Sequence, residues 1–318
     1  MGSILAILTY IAYAFIIFMY ARKVIQYAQM PLHLRWDLYP VRHENGRSLG
    51  GSYYENFEWW IKPRRKRFIR SILFILKDNF YLGEYFHQNR GYWFVLFPWH
   101  VGFILIITLH VLCFFTALTM ILGLSVSSES PNIFGRIFYY SILFTGVGSF
   151  ITGSFGSIGM LVKRLINKEL RAYASPMNYF NYVFLLTLFV SGFYAWYFVD
   201  PTFSEYLEFW KGLVTFKPRE VELVSAIHIG LFALVLLYLP FTRSMHYITR
   251  FFAFLWIQWD DRPNVKGSEI EKNIQKWLNQ PVSWSAPHIQ AGKKWTDLAS
   301  EVTLSSHIEV KPWETKSP

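Results

Sequence analysis

The sequence predicts an all-α integral membrane protein with five membrane-spanning helices, an interfacial helix and an extended C-terminal cytoplasmic tail. Of its 318 residues, 53% are hydrophobic and only 16% are charged, whereas about a quarter of the residues in a soluble domain are charged. The deficit of charge falls in five apolar runs of the length that a helix needs to cross a bilayer, roughly 20 residues. These runs are Ile4–Tyr20, Trp93–Leu124, Ile133–Val162, Tyr179–Val199 and Glu222–Leu239.

The distribution of Lys and Arg predicts how these spans are oriented. Residues 22–90 contain thirteen Lys and Arg and residues 163–171 contain four, whereas residues 200–220 contain three and the loop before Arg136 contains none. Positive charge is concentrated on the cytoplasmic side of membrane proteins. We therefore expect a protein of the cytoplasmic membrane with its N-terminus outside and its C-terminus in the cytoplasm. The net charge of +10 then reflects topology and lipid headgroups rather than nucleic-acid binding.

The first apolar run is expected to be a span rather than a cleaved signal peptide. No positive charge precedes it, no small-residue cleavage site follows it, and Arg22–Lys23 closes it. A cytoplasmic loop follows, over about residues 24–90. Near its end, Arg64–Phe80 has a basic start followed by apolar residues at helical spacing, which predicts an amphipathic helix at the inner membrane surface.

The second and third runs each have one unusual feature. Pro98 lies in the second run, where we expect it to open the helix locally. The third run has small residues at helical spacing, which allow close helix packing or leave room for a flat macrocycle; both interpretations stay open. These small residues are Gly146, Ser149, Gly153, Gly156 and Gly159.

Residues 1–257 are thus predicted to form the membrane domain and residues 258–318 the tail. Within the tail, Ser268–Leu278 is predicted to form one short helix. The remainder contains several tryptophans but no clear hydrophobic period. A tail of this kind without a core of its own is expected to dock onto another protein.

Four histidines in the second and fifth spans carry the functional prediction. His100 and His110 are ten residues apart, or about 80° around a helix, and His228 and His246 are eighteen residues apart, or five full turns on one face. Ionisable residues inside a bilayer are costly and functional by default, and neutral imidazole is a common axial ligand of haem iron. Because the two spans are antiparallel, His100 is expected to pair with His246 near the cytoplasm and His110 with His228 nearer the outside. Two haems b, each with two histidine ligands, are therefore predicted.

Other metal chemistry is disfavoured by the composition of the spans. A non-haem metal site would need nearby carboxylates or thiolates, and the spans offer almost none. The one cysteine, Cys113, cannot hold an iron–sulfur cluster and is expected to serve packing. Cations on the inner side are candidate contacts for haem propionates, although topology and lipid anchoring explain them as well. They are Lys163, Arg164, Arg243 and Arg250.

The five spans and the spacing of the four histidines resemble the gamma subunit of respiratory nitrate reductase. That subunit is a dihaem cytochrome b that oxidises quinol. The resemblance implies that His100 and His246 hold the haem proximal to a cytoplasmic partner and that His110 and His228 hold the distal haem.

Three further segments are similar to cytochrome b subunits of redox complexes in sulfate- and sulfur-metabolising anaerobes. They are PLHLRWDLYPVRHE (Pro31–Glu44), WIQWDDRP (Trp256–Pro263) and VSWSAPHIQAGKKWTDLA (Val282–Ala299). This group includes the subunits of the dissimilatory sulfite-reductase-linked, menaquinol-oxidising heterodisulfide-reductase-like and type I cytochrome c3-linked complexes. The resemblance implies a cytoplasmic iron–sulfur partner like the catalytic subunit of heterodisulfide reductase.

The chain departs from the nitrate reductase subunit at the quinone site. Those relatives use a lysine near the distal haem to contact quinone, but here no lysine occurs between His87 and Lys163. A quinone site, if present, is built differently. Charged candidates near the outer face are Glu129, Arg136, Glu205, Lys211, Arg219 and Glu222.

The expected function is therefore that of the membrane subunit of a quinol:acceptor oxidoreductase complex. It would oxidise menaquinol near the outer face and pass electrons through two haems to the cytoplasmic partner. One alternative is an electron conduit from a periplasmic multihaem cytochrome c without quinol chemistry. Another is a scaffold or transporter whose histidines line a polar path without haem.

Overall fold

A computed structural model describes residues 2–29, 68–242, 246, 248, 266–286 and 289–300. Within these ranges the regular structure is helical, apart from two isolated β-bridges. The helices are α1 (Gly2–Gln29), α2 (Phe68–Tyr81), α3 (Gly83–Gln88), α4 (Arg90–Ile121), α5 (Ile133–Ile166), α6 (Lys168–Ala172), α7 (Pro176–Phe198), α8 (Ser204–Val214), α9 (Leu223–Tyr238), α10 (Glu269–Leu278) and α11 (Trp295–Ser300), with a 3-10 turn at Leu239–Phe241.

Among the described residues, five helices are long and apolar enough to cross a membrane, which confirms the predicted spans. They are α1, α4, α5, α7 and α9 with its following turn. Several helices extend beyond the apolar runs: α1 continues to Gln29 and α5 to Ile166. The Lys and Arg residues at these ends form helix about as readily as leucine and methionine do. The predicted amphipathic helix is also present as α2, where Ile69, Leu73 and Leu76 are exposed at helical spacing.

The prediction that Pro98 opens the second span is wrong. Helix α4 runs unbroken through Pro98. Proline removes one backbone hydrogen bond, but packing can hold such a helix together in a membrane. Here α5 packs closely against Trp99, the residue that follows Pro98. A Cβ atom on Gly156 of α5 would lie only 2.2 Å from the backbone nitrogen of Trp99.

The prediction that His228 and His246 share one face of a continuous helix is also wrong. Helix α9 ends at Tyr238 and becomes a 3-10 turn, and Thr242 is then extended with φ −100° and ψ 176°. Pro240 lies in that turn; proline has no N–H to donate, and in a continued α-helix its ring would clash with the carbonyl four residues earlier. His246 therefore does not follow His228 by five uninterrupted helical turns.

The small residues of α5 are used for close packing. A Cβ atom on Gly102 of α4 would lie 2.5 Å from the Cα of Gly153, so the two backbones are in direct contact. On other glycines of α5 and α7, an added Cβ atom would collide with an aromatic ring. On Gly146, for example, it would lie 2.4 Å from the Phe203 ring. In this structure the small residues of α5 therefore allow close helix packing. Helix α5 also packs on α7, and α7 packs on α9.

Helix α8 was not predicted. It lies between the fourth and fifth spans and buries one side formed by Leu207, Phe209, Trp210 and Leu213. Asp200 stabilises its start by accepting hydrogen bonds from the backbone N–H groups of Ser204 at 2.8 Å and Tyr206 at 3.0 Å. Helix α1 holds its far end, where the Tyr10 hydroxyl donates to the Leu213 carbonyl at 2.7 Å.

The chain divides into two compact units, and the second contains α10 and α11. Helix α10 confirms the predicted short helix, and the Ser268 hydroxyl caps it by accepting from the Glu271 N–H at 3.1 Å. Val282 is buried and the rings of Trp284 and Trp295 meet edge to face at 6.2 Å. The segments 31–44 and 256–263 lie outside the described residues, and partner docking by the tail remains a prediction.

Candidate functional site

The structure places three of the four predicted ligands on spanning helices. His100 and His110 lie on α4 and His228 lies on α9. The His110 ring stacks on Phe232, which lies one helical turn after His228 on α9. His110 and His228 are only 5% and 6% exposed. Two buried imidazoles therefore lie where α4 and α9 pack together, close to α8.

The His110 ring is fixed on three sides. Its Nδ1 lies 2.6 Å from the Ile106 carbonyl, its Nε2 lies 2.8 Å from the Tyr206 hydroxyl, and its face stacks on Phe232 at 3.6 Å between ring centroids. A carbonyl only accepts hydrogen bonds, so Nδ1 carries the proton of the neutral ring. Nε2 then presents its lone pair, and the Tyr206 hydroxyl donates to it.

The same reasoning assigns the proton of His228. The Ser191 hydroxyl donates its proton to the Leu188 carbonyl at 2.8 Å. Ser191 can then only accept from the Nδ1 of His228, which lies 3.1 Å away. The Nε2 of His228 is therefore also unprotonated, and the ring is held edge to face with Phe150 at 5.5 Å between centroids.

These residues fit the donor set that haem iron requires. Both rings offer an unprotonated Nε2, while the Nδ1–H is oriented by an acceptor, the arrangement that fixes histidine ligands of metals. At the second pair, His100 Nδ1 is buried without a hydrogen-bond partner. No group of three or more His, Cys, Asp or Glu in the described part of the chain could hold another metal ion. Imidazole pairs in apolar surroundings are suited to haem b.

The space beside His110 is small. Its cavity has a volume of about 10 Å³ and is bounded by Tyr206, Trp210 and Phe232. A macrocycle bound to His110 would therefore require these side chains to move aside. Tyr206 is the polar one among them, and its hydroxyl occupies the Nε2 atom that would bind iron.

A second cavity, of about 30 Å³, lies beside His228. Its polar lining comes from Asp200, Tyr206 and Ser225. The hydroxyl of Ser225 donates to one carboxylate oxygen of Glu205 at 2.6 Å, and the other oxygen accepts the N–H of Glu222. Burial raises the pKa of Asp200, although its hydrogen bonds from backbone N–H groups oppose this. The α8 end of the bundle therefore surrounds His228 with groups that can exchange protons.

The charged candidates for a quinone site separate into two sets. Glu205 and Glu222 meet at the start of α9, whereas Lys211 pairs with Glu208 at 3.3 Å and Glu129 is exposed in the loop before α5. Tyr206 and Ser191, whose hydroxyls lie 2.8 Å and 3.1 Å from ring nitrogens of His110 and His228, were missed by sequence reasoning. The helical spacing of apolar residues in Ser204–Val214 could have predicted the helix that carries Tyr206.

The cations that the sequence analysis offered as propionate contacts have other contacts in this structure. Arg164 donates to the Tyr182 hydroxyl at 3.0 Å, and its guanidinium lies 5.6 Å from the centre of that ring. Lys163 reaches toward Gly91 at the start of α4. Arg243 and Arg250 lie outside the described residues. Cys113 is fully buried and free, in a position where it can pack.

The chain matches the protein family described as the nitrate reductase gamma subunit over residues 86–260. This match covers more than half of the chain, including α4, α5, α7, α9 and all four histidines. No curated protein and no solved structure gives a significant match.

Proposed function

The chain belongs to the nitrate reductase gamma subunit family, and on this premise we propose that it oxidises quinol as the membrane cytochrome b subunit of a respiratory redox complex. The observation that carries the proposal is the buried pair His110 and His228, each with its Nδ1 oriented by an oxygen acceptor and its Nε2 unprotonated. Imidazoles protonated on Nδ1 are ready to ligate iron without losing a proton.

We assign the haem ligands in two pairs. His110 and His228 would hold the distal haem, and His100 and His246 would hold the proximal haem. Haem, when bound, supplies one-electron redox chemistry inside the bilayer. The chain orients the ligands through the Ile106 carbonyl and Ser191, and the rings of Phe232 and Phe150 pack against the two imidazoles.

The partners follow from the resemblance and the charge distribution. We propose that the basic side faces the cytoplasm and that a heterodisulfide-reductase-like iron–sulfur protein docks there on the first loop and the tail. Menaquinol would then be oxidised at the α8 end, where polar groups meet the buried histidines. Electrons would cross the membrane toward the cytoplasmic partner.

The test is reduction by a quinol analogue. The purified full-length chain in native lipid is mixed with a reduced short-chain naphthoquinol, and haem absorption is followed against a dithionite-reduced reference. We expect the naphthoquinol to reduce the haem. Haem that dithionite reduces but naphthoquinol leaves oxidised would contradict quinol oxidation and favour the conduit from a periplasmic multihaem cytochrome c.

Tyr206→Phe is expected to strengthen haem binding by about tenfold. Without the hydroxyl, the haem-free protein has a buried Nε2 acceptor on His110 with no donor, at a cost of about 1–3 kcal/mol. The haem-bound form does not bear this cost, because iron then occupies Nε2, and about 1.4 kcal/mol corresponds to a factor of ten in affinity. Competition for haem with apomyoglobin measures the change.

Tyr10→Phe is the matched control for this variant. It removes another tyrosine hydroxyl, which donates to the Leu213 carbonyl at 2.7 Å but does not touch His110. Its haem affinity should equal that of the wild type. A Tyr206→Phe protein that binds haem no more tightly than Tyr10→Phe would show that the hydroxyl does not compete for the ligand atom.

A further inference from the structure

The cavity beside His228 has a hydrogen-bonded connection to the edge of the bundle. Its volume of about 30 Å³ is enough for one water molecule. Ser225 lines it and is buried, one helical turn before His228 on α9. The groups in the cavity wall that can carry protons are thus next to the proposed distal ligand and are enclosed by the protein.

Ser225 links this cavity to Glu205. Its hydroxyl donates to Glu205 Oε2 at 2.6 Å, which leaves the oxygen lone pairs of Ser225 able to accept a hydrogen bond from the cavity. Glu205 lies on α8 and is half-buried. The connection therefore runs from a small, mostly apolar cavity, through one hydroxyl, to a carboxylate at the boundary with solvent.

We propose that Ser225 and Glu205 form the exit path for protons released when quinol is oxidised. This inference rests on the proposed function, because quinol oxidation supplies the protons. Each hydroquinone loses two protons and two electrons. The electrons pass through the proposed haems to the proposed cytoplasmic partner. Each proton is taken up by the Ser225 oxygen as the proton of its hydroxyl moves to Glu205. One O–H bond of the hydroquinone breaks, one forms on Glu205, and Ser225 is regenerated before Glu205 releases the proton to water.

Neighbouring acids are less suited to this role. Both oxygens of Asp200 accept backbone N–H groups at the start of α8, and Glu208 pairs with Lys211 on the exposed side. Glu222 contributes its backbone N–H to Glu205 rather than its carboxylate. Glu205 alone among these four acids accepts a hydrogen bond from a side chain that lines the cavity.

Glu205 also has a structural role that the test must separate from proton transfer. It accepts two hydrogen bonds at the start of α9, and glutamine can keep one oxygen acceptor there but cannot take up a proton. Aspartate keeps the carboxylate on a shorter side chain. Glu205→Gln and Glu205→Asp therefore distinguish a lost proton acceptor from a lost cap, and Ser225→Ala interrupts the path without removing a charge.

The experiment measures naphthoquinol-driven haem reduction by the full-length haem-loaded protein, together with proton release reported by a pH-sensitive dye outside proteoliposomes. Glu205→Gln and Ser225→Ala should each slow both signals at least tenfold, since a missing proton acceptor typically costs about 100-fold or more. Glu205→Asp should restore part of the rate. The solvent deuterium isotope effect should increase in Glu205→Gln.

Two controls complete the design. Glu208→Gln removes a carboxylate from the exposed side of α8, and Ser149→Ala removes a buried hydroxyl that donates within its own helix to the Gly146 carbonyl. Both should stay within twofold of the wild type, and dithionite should reduce all variants fully. If Glu205→Gln behaves like Glu208→Gln while wild type reacts with naphthoquinol, the exit path is overturned and the proposed function stands. If wild-type haem is reduced by dithionite but not by naphthoquinol, both are overturned.

Discussion

Replacing either His110 or His228 by alanine is expected to remove the same haem. The haem content should then fall from two per chain to one. The two imidazoles are buried, and His110 stacks on Phe232, one helical turn after His228 on α9, so they are proposed to hold the same haem. Loss of either leaves the haem iron with a single ligand in an apolar site. Haem content per protein, measured by visible spectroscopy, gives the result.

The other pair and an exposed histidine serve as comparisons. His100→Ala and His246→Ala should remove the other haem, and a spectrum that differs from that of His110→Ala would identify which one remains. His87→Ala, at the exposed end of α3, should retain both. Loss of different haems in His110→Ala and His228→Ala would contradict the pairing, and unchanged haem content would contradict ligation by these residues.

Gly156→Ala is expected to destabilise the membrane domain by about 3 kcal/mol, at the upper end of overpacking costs. The added methyl carbon would lie 2.2 Å from the backbone nitrogen of Trp99. Backbone atoms cannot rotate away, so α4 and α5 would have to separate. Because Trp99 adjoins His100, the shift should also loosen the proposed proximal haem.

Gly230→Ala is the matched control for this substitution. Gly230 is also in the middle of a spanning helix, but an added Cβ meets nothing within 4 Å. Alanine is the better helix former, so Gly230→Ala should leave the protein as stable as wild type or slightly more stable. Unfolding in mixed micelles measures both variants, and equal midpoints would show that α4 and α5 do not pack as closely as described.

The spans were predictable because each has a strong apolar signal over its whole length. The amphipathic helix α2 was predictable from the helical spacing of its apolar residues. Helix α10 was predictable because Ser268 can cap its start. The break after α9 could also have been anticipated, since Pro240 lies between His228 and His246. Helical rotation over eighteen residues holds only where no proline interrupts the helix.

The polar surroundings of the histidines were not predictable. Tyr206 lies 96 positions from His110 in the chain, and only the fold places α8 over α4. The same holds for Ser191, whose bond to Leu188 determines which nitrogen of His228 carries the proton. Residue types and spacing indicated that the histidines are special, but they could not show which atoms present lone pairs.

The measurement that tests haem ligation most directly is the haem content of the wild-type protein purified with native lipid. The oxidised and dithionite-reduced visible spectra should show b-type haem at two per chain. Protein that is folded and monodisperse but shows no haem absorption would contradict the proposed function and leave a scaffold or transporter with buried histidines in its place.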